Sequence, residues 1–195
     1  MQTQWLEPDN DSSAFLHVLR ESIRMEQWSE LAYRRRDFQG AQSGVDRKAT
    51  LELTKRLGGL ERYKLRTILC GAIRTDARFS KIDRELSPLC KCCAQQAVET
   101  TRHVFAECAA HRPMITQELT SEEWAMLPEC LTLQGIMPRC SEQLPERFRV
   151  SPEDKMDLAC IMQHNLLDAW DHRASLRQTP EPQPRWQRNQ RPRLN

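Results

Sequence analysis

The chain has 195 residues, 39% hydrophobic and 29% charged, with a formal net charge of +2, six glycines, five phenylalanines and two tyrosines. That length is enough for a real core, while the scarcity of glycine and aromatics argues against a β-sandwich or barrel. No apolar run approaches the roughly 20 residues of a membrane helix, and the near-neutral total by itself says nothing about nucleic acid.

A first helix is expected over residues 13–36, capped by Asp11, Ser12 or Ser13, with Leu16, Leu19, Ile23, Trp28 and Leu31 as apolar contacts. Gly40 and Gly44 break it. A second, over 46–57, places Ala49, Leu53 and Leu57 on one face and stops at Gly58-Gly59. A third, over 60–74, is the most regular, with Leu65, Ile68, Leu69, Ala72 and Ile73 in one stripe. Arg62 and Arg66 lie off that stripe and are expected to face outward.

Next comes SPLCKCCAQQAVETTRHVFAEC, in which Cys90, Cys93, His103 and Cys108 form the run C-x2-C-x9-H-x4-C. Thiolate sulfur and neutral imidazole are the donors tetrahedral zinc favours, and three Cys with one His close a structural site with no open position. His103 and Cys108 are expected on a short helix capped by Thr100 or Thr101. Residues five apart on an ideal helix diverge by about 140°, so that helix must loosen or end before Cys108. Three other readings compete: buried free cysteines, a disulfide framework, and Cys92 taking the place of Cys93. The opening MQTQWLEPDN lacks the basic-then-apolar pattern of a secretion signal, which disfavours the disulfides and predicts an intracellular protein, nuclear or cytoplasmic and not secreted. Cys130 and Cys140 read as bystanders, Cys70 and Cys160 as core residues.

Past this run, residues 121–127 predict a short helix ended by Pro128, and 128–150 an irregular connection rich in proline. Ser151-Pro152-Glu153-Asp154 opens a long helix to about residue 176, with Leu158, Ile161, Met162, Leu166 and Ala169 buried. His164, Asp168 and His172 recur at one-turn intervals on it and read as solvent-exposed ion pairing. The tail TPEPQPRWQRNQRPRLN, with Arg185, Arg188, Arg191 and Arg193 around Trp186, is too polar to order itself. The division expected is a helical N-terminal segment (1–44), a zinc-binding module (45–112), a helical extension (113–178) and a disordered basic tail (179–195). The fold class is mainly α, a small helical domain built around the zinc knuckle.

The stretch LRTILCGAIRTDARFSKIDRELSPLCKCCAQQAVETTRHVFAEC resembles the zinc-binding segment downstream of the reverse transcriptase in LINE-type, non-LTR retrotransposon polyproteins. The matching features lie at Leu65 to Gly71, Arg84 to Glu85, Ser87 to Cys93, Glu99 to His103 and Cys108, within residues 45–112. The resemblance implies a nucleic-acid-associated module carried beside a polymerase, with the reverse transcriptase portion of the same polyprotein as a partner. No Tyr-x-Asp-Asp signature and no glycine-rich phosphate loop occurs, so the expectation is a non-catalytic chain. Between residues 34 and 85 fourteen basic residues face seven acidic ones, a local excess suited to sequence-tolerant contact with RNA or DNA. Lys91 and Arg102 would flank the ion, and Arg62, Arg66, Arg74 and Arg84 would hold phosphates. The alternative is a zinc-stapled scaffold that docks onto a polymerase or another subunit.

Overall fold

The computed structural model describes residues 11–111 and 119–177. Seven α-helices appear among them: α1 (Asp11–Arg34), α2 (Arg47–Arg56), α3 (Gly59–Leu69), α4 (Asp76–Phe79), α5 (Ser121–Met126), α6 (Glu129–Gln134) and α7 (Pro152–Arg177). A five-residue π-turn, His103–Glu107, stands between α4 and α5. Extended pairing among the described residues is limited to two isolated antiparallel bridges, Val45 with Pro138 and Leu89 with Val98, so the protein is mainly helical. None of the helices in the described residues is long and apolar enough to cross a membrane. The basic tail lies outside the described residues.

Helix α7 organises the rest. Ser151 Oγ accepts from the Asp154 amide at 3.1 Å while Asp154 Oδ2 accepts from the Ser151 amide at 2.8 Å, a reciprocal cap that fixes where the helix begins. Its 26 residues are long enough to touch α2, α3, α6 and the π-turn. One apolar cluster joins Leu53, Leu65, Ile68, Val104, Phe105, Leu166 and Ala169, and so draws on both the 45–112 and 113–178 stretches. A second gathers Ala49, Leu131, Met137, Leu144, Leu158 and Met162. The expected stripe on α7 is buried except for Ile161, which is half-exposed. Gln163 is also fully buried, because its amide donates to the carbonyls of Thr50 (2.8 Å) and Gly135 (2.7 Å) and so ties three elements together.

Three elements differ from the expectation. Helix α3 stops at Leu69 rather than near residue 74. Gly71 adopts φ +59° there, its amide donates to Ile68 O (2.7 Å), and the Ala72 amide donates to Thr67 O (2.9 Å). This double closure is a Schellman stop. The 128–150 connection contains a helix, α6. Pro128 ends the α5 turn and also opens α6, where a residue without an amide hydrogen costs nothing, and Gly135 at φ +67° closes it. In α1 only the C-terminal part has the expected contacts, with Trp28, Leu31 and Ala32 packed on Phe38 and Ala41. Leu16, Leu19 and Ile23 are 44–47% exposed, beside still more exposed Phe15 and Val18.

Candidate metal centre

The knuckle is a small hairpin. The Cys90 amide donates to Ala97 O and the Glu99 amide to Pro88 O, both at 2.8 Å, closing a loop that carries Lys91, Cys92 and Cys93. Gln96, at φ +49°, makes the left-handed turn that reverses the chain. After Glu99 the chain turns into the helical segment. Thr100 Oγ1 accepts from the His103 amide at 3.0 Å, so of the two candidate caps it is Thr100 that acts.

Cys108 then meets His103 by a specific device. The Cys108 amide donates to His103 O at 2.7 Å, a hydrogen bond across five residues that widens the turn. This is the loosening that the H-x4-C spacing demanded, and Cys108 follows as the extended C-cap residue. Val104 and Phe105, buried in the first apolar cluster, anchor the turn against α6 and α7.

Cys90 Sγ lies 4.0 Å from Cys108 Sγ, and Cys93 Sγ lies 3.4 Å from His103 Nε2. All four donor atoms fall within 4.8 Å of one another, close enough to hold a metal ion. Cys90, His103 and Cys108 are buried and Cys93 is half-buried. Burial pushes the Cys108 thiol up to about 12, and the Cys90 and Cys93 sulfurs push in the same direction. Three sulfurs packed this way repel one another as thiolates; a cation among them reverses the sign and deprotonates them.

Beneath the knuckle lies a buried ionic network that the spacing of residues did not reveal. Glu99 has no exposed side-chain surface. It accepts from the Asp76 amide (2.9 Å), from Arg173 Nη2 (2.6 Å) and from Arg177 Nη2, and Arg177 also reaches Asp76 Oδ2 at 2.6 Å. The last two turns of α7 are thereby clamped to the hairpin carrying Cys90 and Cys93. The one available signal was the one-turn separation of Arg173 and Arg177, which gives a shared face and not its burial. His172, expected to pair along its own helix, instead places Nδ1 3.2 Å from Nδ1 of the fully buried His111. His164 is exposed and contacts Cys160 O.

The six cations expected to meet phosphate are placed differently from one another. Arg66 and Arg84 are exposed and pair with no acidic side chain among the described residues. Arg74 is exposed, its guanidinium 5.7 Å from the Phe79 ring centroid. Arg62 is half-buried and donates to Leu57 O at 2.7 Å, bracing the turn between α2 and α3. Lys91 sits 3.5 Å from Asp76 Oδ2, and Arg102 pairs with Glu129 and, at 3.8 Å, with Glu107. A cavity of about 300 Å³ lined by Gln39, Gly40, Gln42, Leu127, Pro128, Glu129 and Gln143 contains none of these groups and no Cys or His.

Comparison with models of known protein families, with curated proteins and with solved structures finds no match.

Proposed function

We propose that this chain is a zinc-stabilised nucleic-acid-binding module, non-catalytic, of the kind that accompanies the reverse transcriptase in LINE-type polyproteins. The observation that carries the zinc is the geometry of the four donors. Around an ion with Zn–S of about 2.3 Å and Zn–N of about 2.05 Å, a tetrahedron has S···S edges near 3.8 Å and S···N edges near 3.6 Å. The separations of 4.0 and 3.4 Å stand within a few tenths of an ångström of both. Cys90, Cys93, His103 and Cys108 would hold the ion, whose part is to join the hairpin to the π-turn, and four protein ligands leave no position for substrate.

The nucleic-acid reading is supported by the exposed cations Arg66, Arg74 and Arg84, which lie within the basic stretch that leads in sequence to the knuckle. The pairing of Arg102 with Glu129 and of Lys91 with Asp76 leaves less charge at the ion than the sequence suggests. The scaffold reading is favoured by a different observation, the uncovered apolar residues of α1.

Zinc content and salt dependence test both. One zinc per chain is expected, lost in Cys90→Ser and His103→Ala and kept in Cys130→Ser, whose site lies in another apolar cluster. Binding to arbitrary RNA or single-stranded DNA should weaken steeply with salt, and Arg66→Ala and Arg84→Ala should each reduce the logarithmic salt slope by about 1. No binding at low salt removes the nucleic-acid reading and leaves the scaffold.

A further inference from the structure

Tyr33 is the most exposed large apolar side chain among the described residues, at 91%. Its backbone is nonetheless fixed, because the neighbouring Ala32 is buried with Phe38 and Ala41 and the Arg35 amide closes the last turn of α1 on Leu31 O at 2.8 Å. The ring stands in water on a rigid base, with only two side-chain torsions to order on contact. Two helices end together at this place. Leu69, the last residue of α3, packs on the apolar cluster that holds Ala32, and Arg35 Nη2 donates to Gly71 O at 3.2 Å. Arg78 Nη1 donates to the same carbonyl at 2.7 Å and to Ile73 O at 3.1 Å, so two guanidinium groups share one acceptor. Arg66, on the last turn of α3, and Arg74, just past Gly71, are exposed and meet no acidic side chain among the described residues. The acid in contact with this group is Asp37, which accepts from Arg35 at 2.6 Å and from Gln134 at 2.8 Å. Four arginines against one aspartate leave a clear positive excess. The helix-end carbonyls engage Arg35 and Arg78, and Arg66 and Arg74 remain for an anion from outside.

We propose that this helix-end surface takes single-stranded nucleic acid in preference to duplex, with the face of an unpaired base stacked on Tyr33 and the neighbouring phosphates on Arg66 and Arg74. This inference rests on the nucleic-acid reading and narrows it. A duplex keeps its base faces stacked inside the helix and offers this surface phosphates alone, whereas a single strand offers both. Every base has a π-face, so stacking on the phenol ring reads sequence weakly. An acidic peptide would satisfy the arginines and bring no flat face to the ring. Phosphate and base face are common to RNA and DNA, and both belong to the class.

The test uses the full chain with labelled oligonucleotides of about 12 residues, RNA and DNA, each alone and annealed to its complement. The wild type should bind the single strands of both sugars about tenfold or more tightly than the duplexes. Tyr33→Ala should weaken single-strand binding about 5- to 150-fold, the worth of one stacked base, with the salt slope unchanged and duplex bound as before. Tyr33→Phe keeps the ring and should keep the affinity, while Arg74→Ala should lower the logarithmic salt slope by about 1. The Tyr33 ring lies in solvent, so its truncation leaves the fold intact, which an unchanged melting midpoint verifies. Unchanged single-strand affinity in Tyr33→Ala overturns the proposal. So does duplex bound as tightly as single strand, a preference confined to one sugar, or a polyglutamate peptide that displaces the strand at equal charge. A wild type that binds none of the oligonucleotides at low salt is a separate result, which removes the nucleic-acid reading itself.

Discussion

Replacing Glu99 by Gln probes the clamp between the knuckle and α7 with little change in shape. The carboxylate is fully buried and faces two guanidinium groups, and the Arg173 side chain is only 9% exposed. Arg177 keeps a second partner in Asp76, so Arg173 is the group left without a counter-charge, and the new amide would present N–H groups where the protein already offers donors. Removing one member of a buried pair costs about 3–5 kcal/mol, and a Coulomb attraction of about 4 kcal/mol for charges near 4 Å at an effective dielectric of 20 is of the same size. At about 2–4 °C per kcal/mol for a chain of this length, the melting midpoint should fall by about 6–20 °C. Calorimetry measures it. Adding Arg173→Met to Glu99→Gln should cost less than the two single losses summed, because the orphaned charge is gone. A fall of under 2 °C for Glu99→Gln, or strict additivity, would show that the network is ornamental and refute this account.

Gly71→Ala places a methyl 2.2 Å from Arg35 Nη2 at a left-handed residue, and should cost about 2–3 kcal/mol by thermal melting; Gly58→Ala, with open space around it, should be near neutral. Gln163→Leu strips two buried carbonyls of a donor and should lose about 1–3 kcal/mol in urea unfolding, whereas a neutral result would mean water replaces the amide. Burial, then the charges of His172 and Arg173, hold the His111 imidazole down to about 4, against the pull of Glu99. A lowered histidine resists protonation in the fold, so its contribution is intact above about pH 6.5 and is lost as pH falls from there toward 4. His111→Gln should therefore flatten the urea midpoint between those pH values relative to wild type, and parallel profiles would contradict the assignment.

The four-donor cluster and the start of α7 were legible because their chemistry is local: donor types at fixed spacing, and a Ser-Pro-Glu-Asp cap. Helix α6 was not, since six residues from Glu129 to Gln134 are too few for periodicity to emerge, and Pro128 serves as a stop and a start at once. The stop at Gly71 was masked because apolar spacing continues past it into Ile73, which is buried without being helical. Leu16, Leu19 and Ile23 show the converse limit. Periodicity declares that a face exists, and only the fold says whether anything within the chain covers it. Burial of Glu99 and Arg173 is a tertiary fact about how α7 crosses the hairpin, which no spacing along one strand of sequence encodes.

The widened turn at His103–Glu107 also says something about how this site can change length. A π-turn is one residue more than an α-turn over the same rise, so deleting Ala106 should relax it to ordinary helix and leave His103 and the cysteine four positions apart, still on one side. H-x3-C and H-x4-C are then two solutions to the same geometric problem, and an insertion of a single residue, commonly ruinous inside a ligand set, is here absorbed by the girth of the helix.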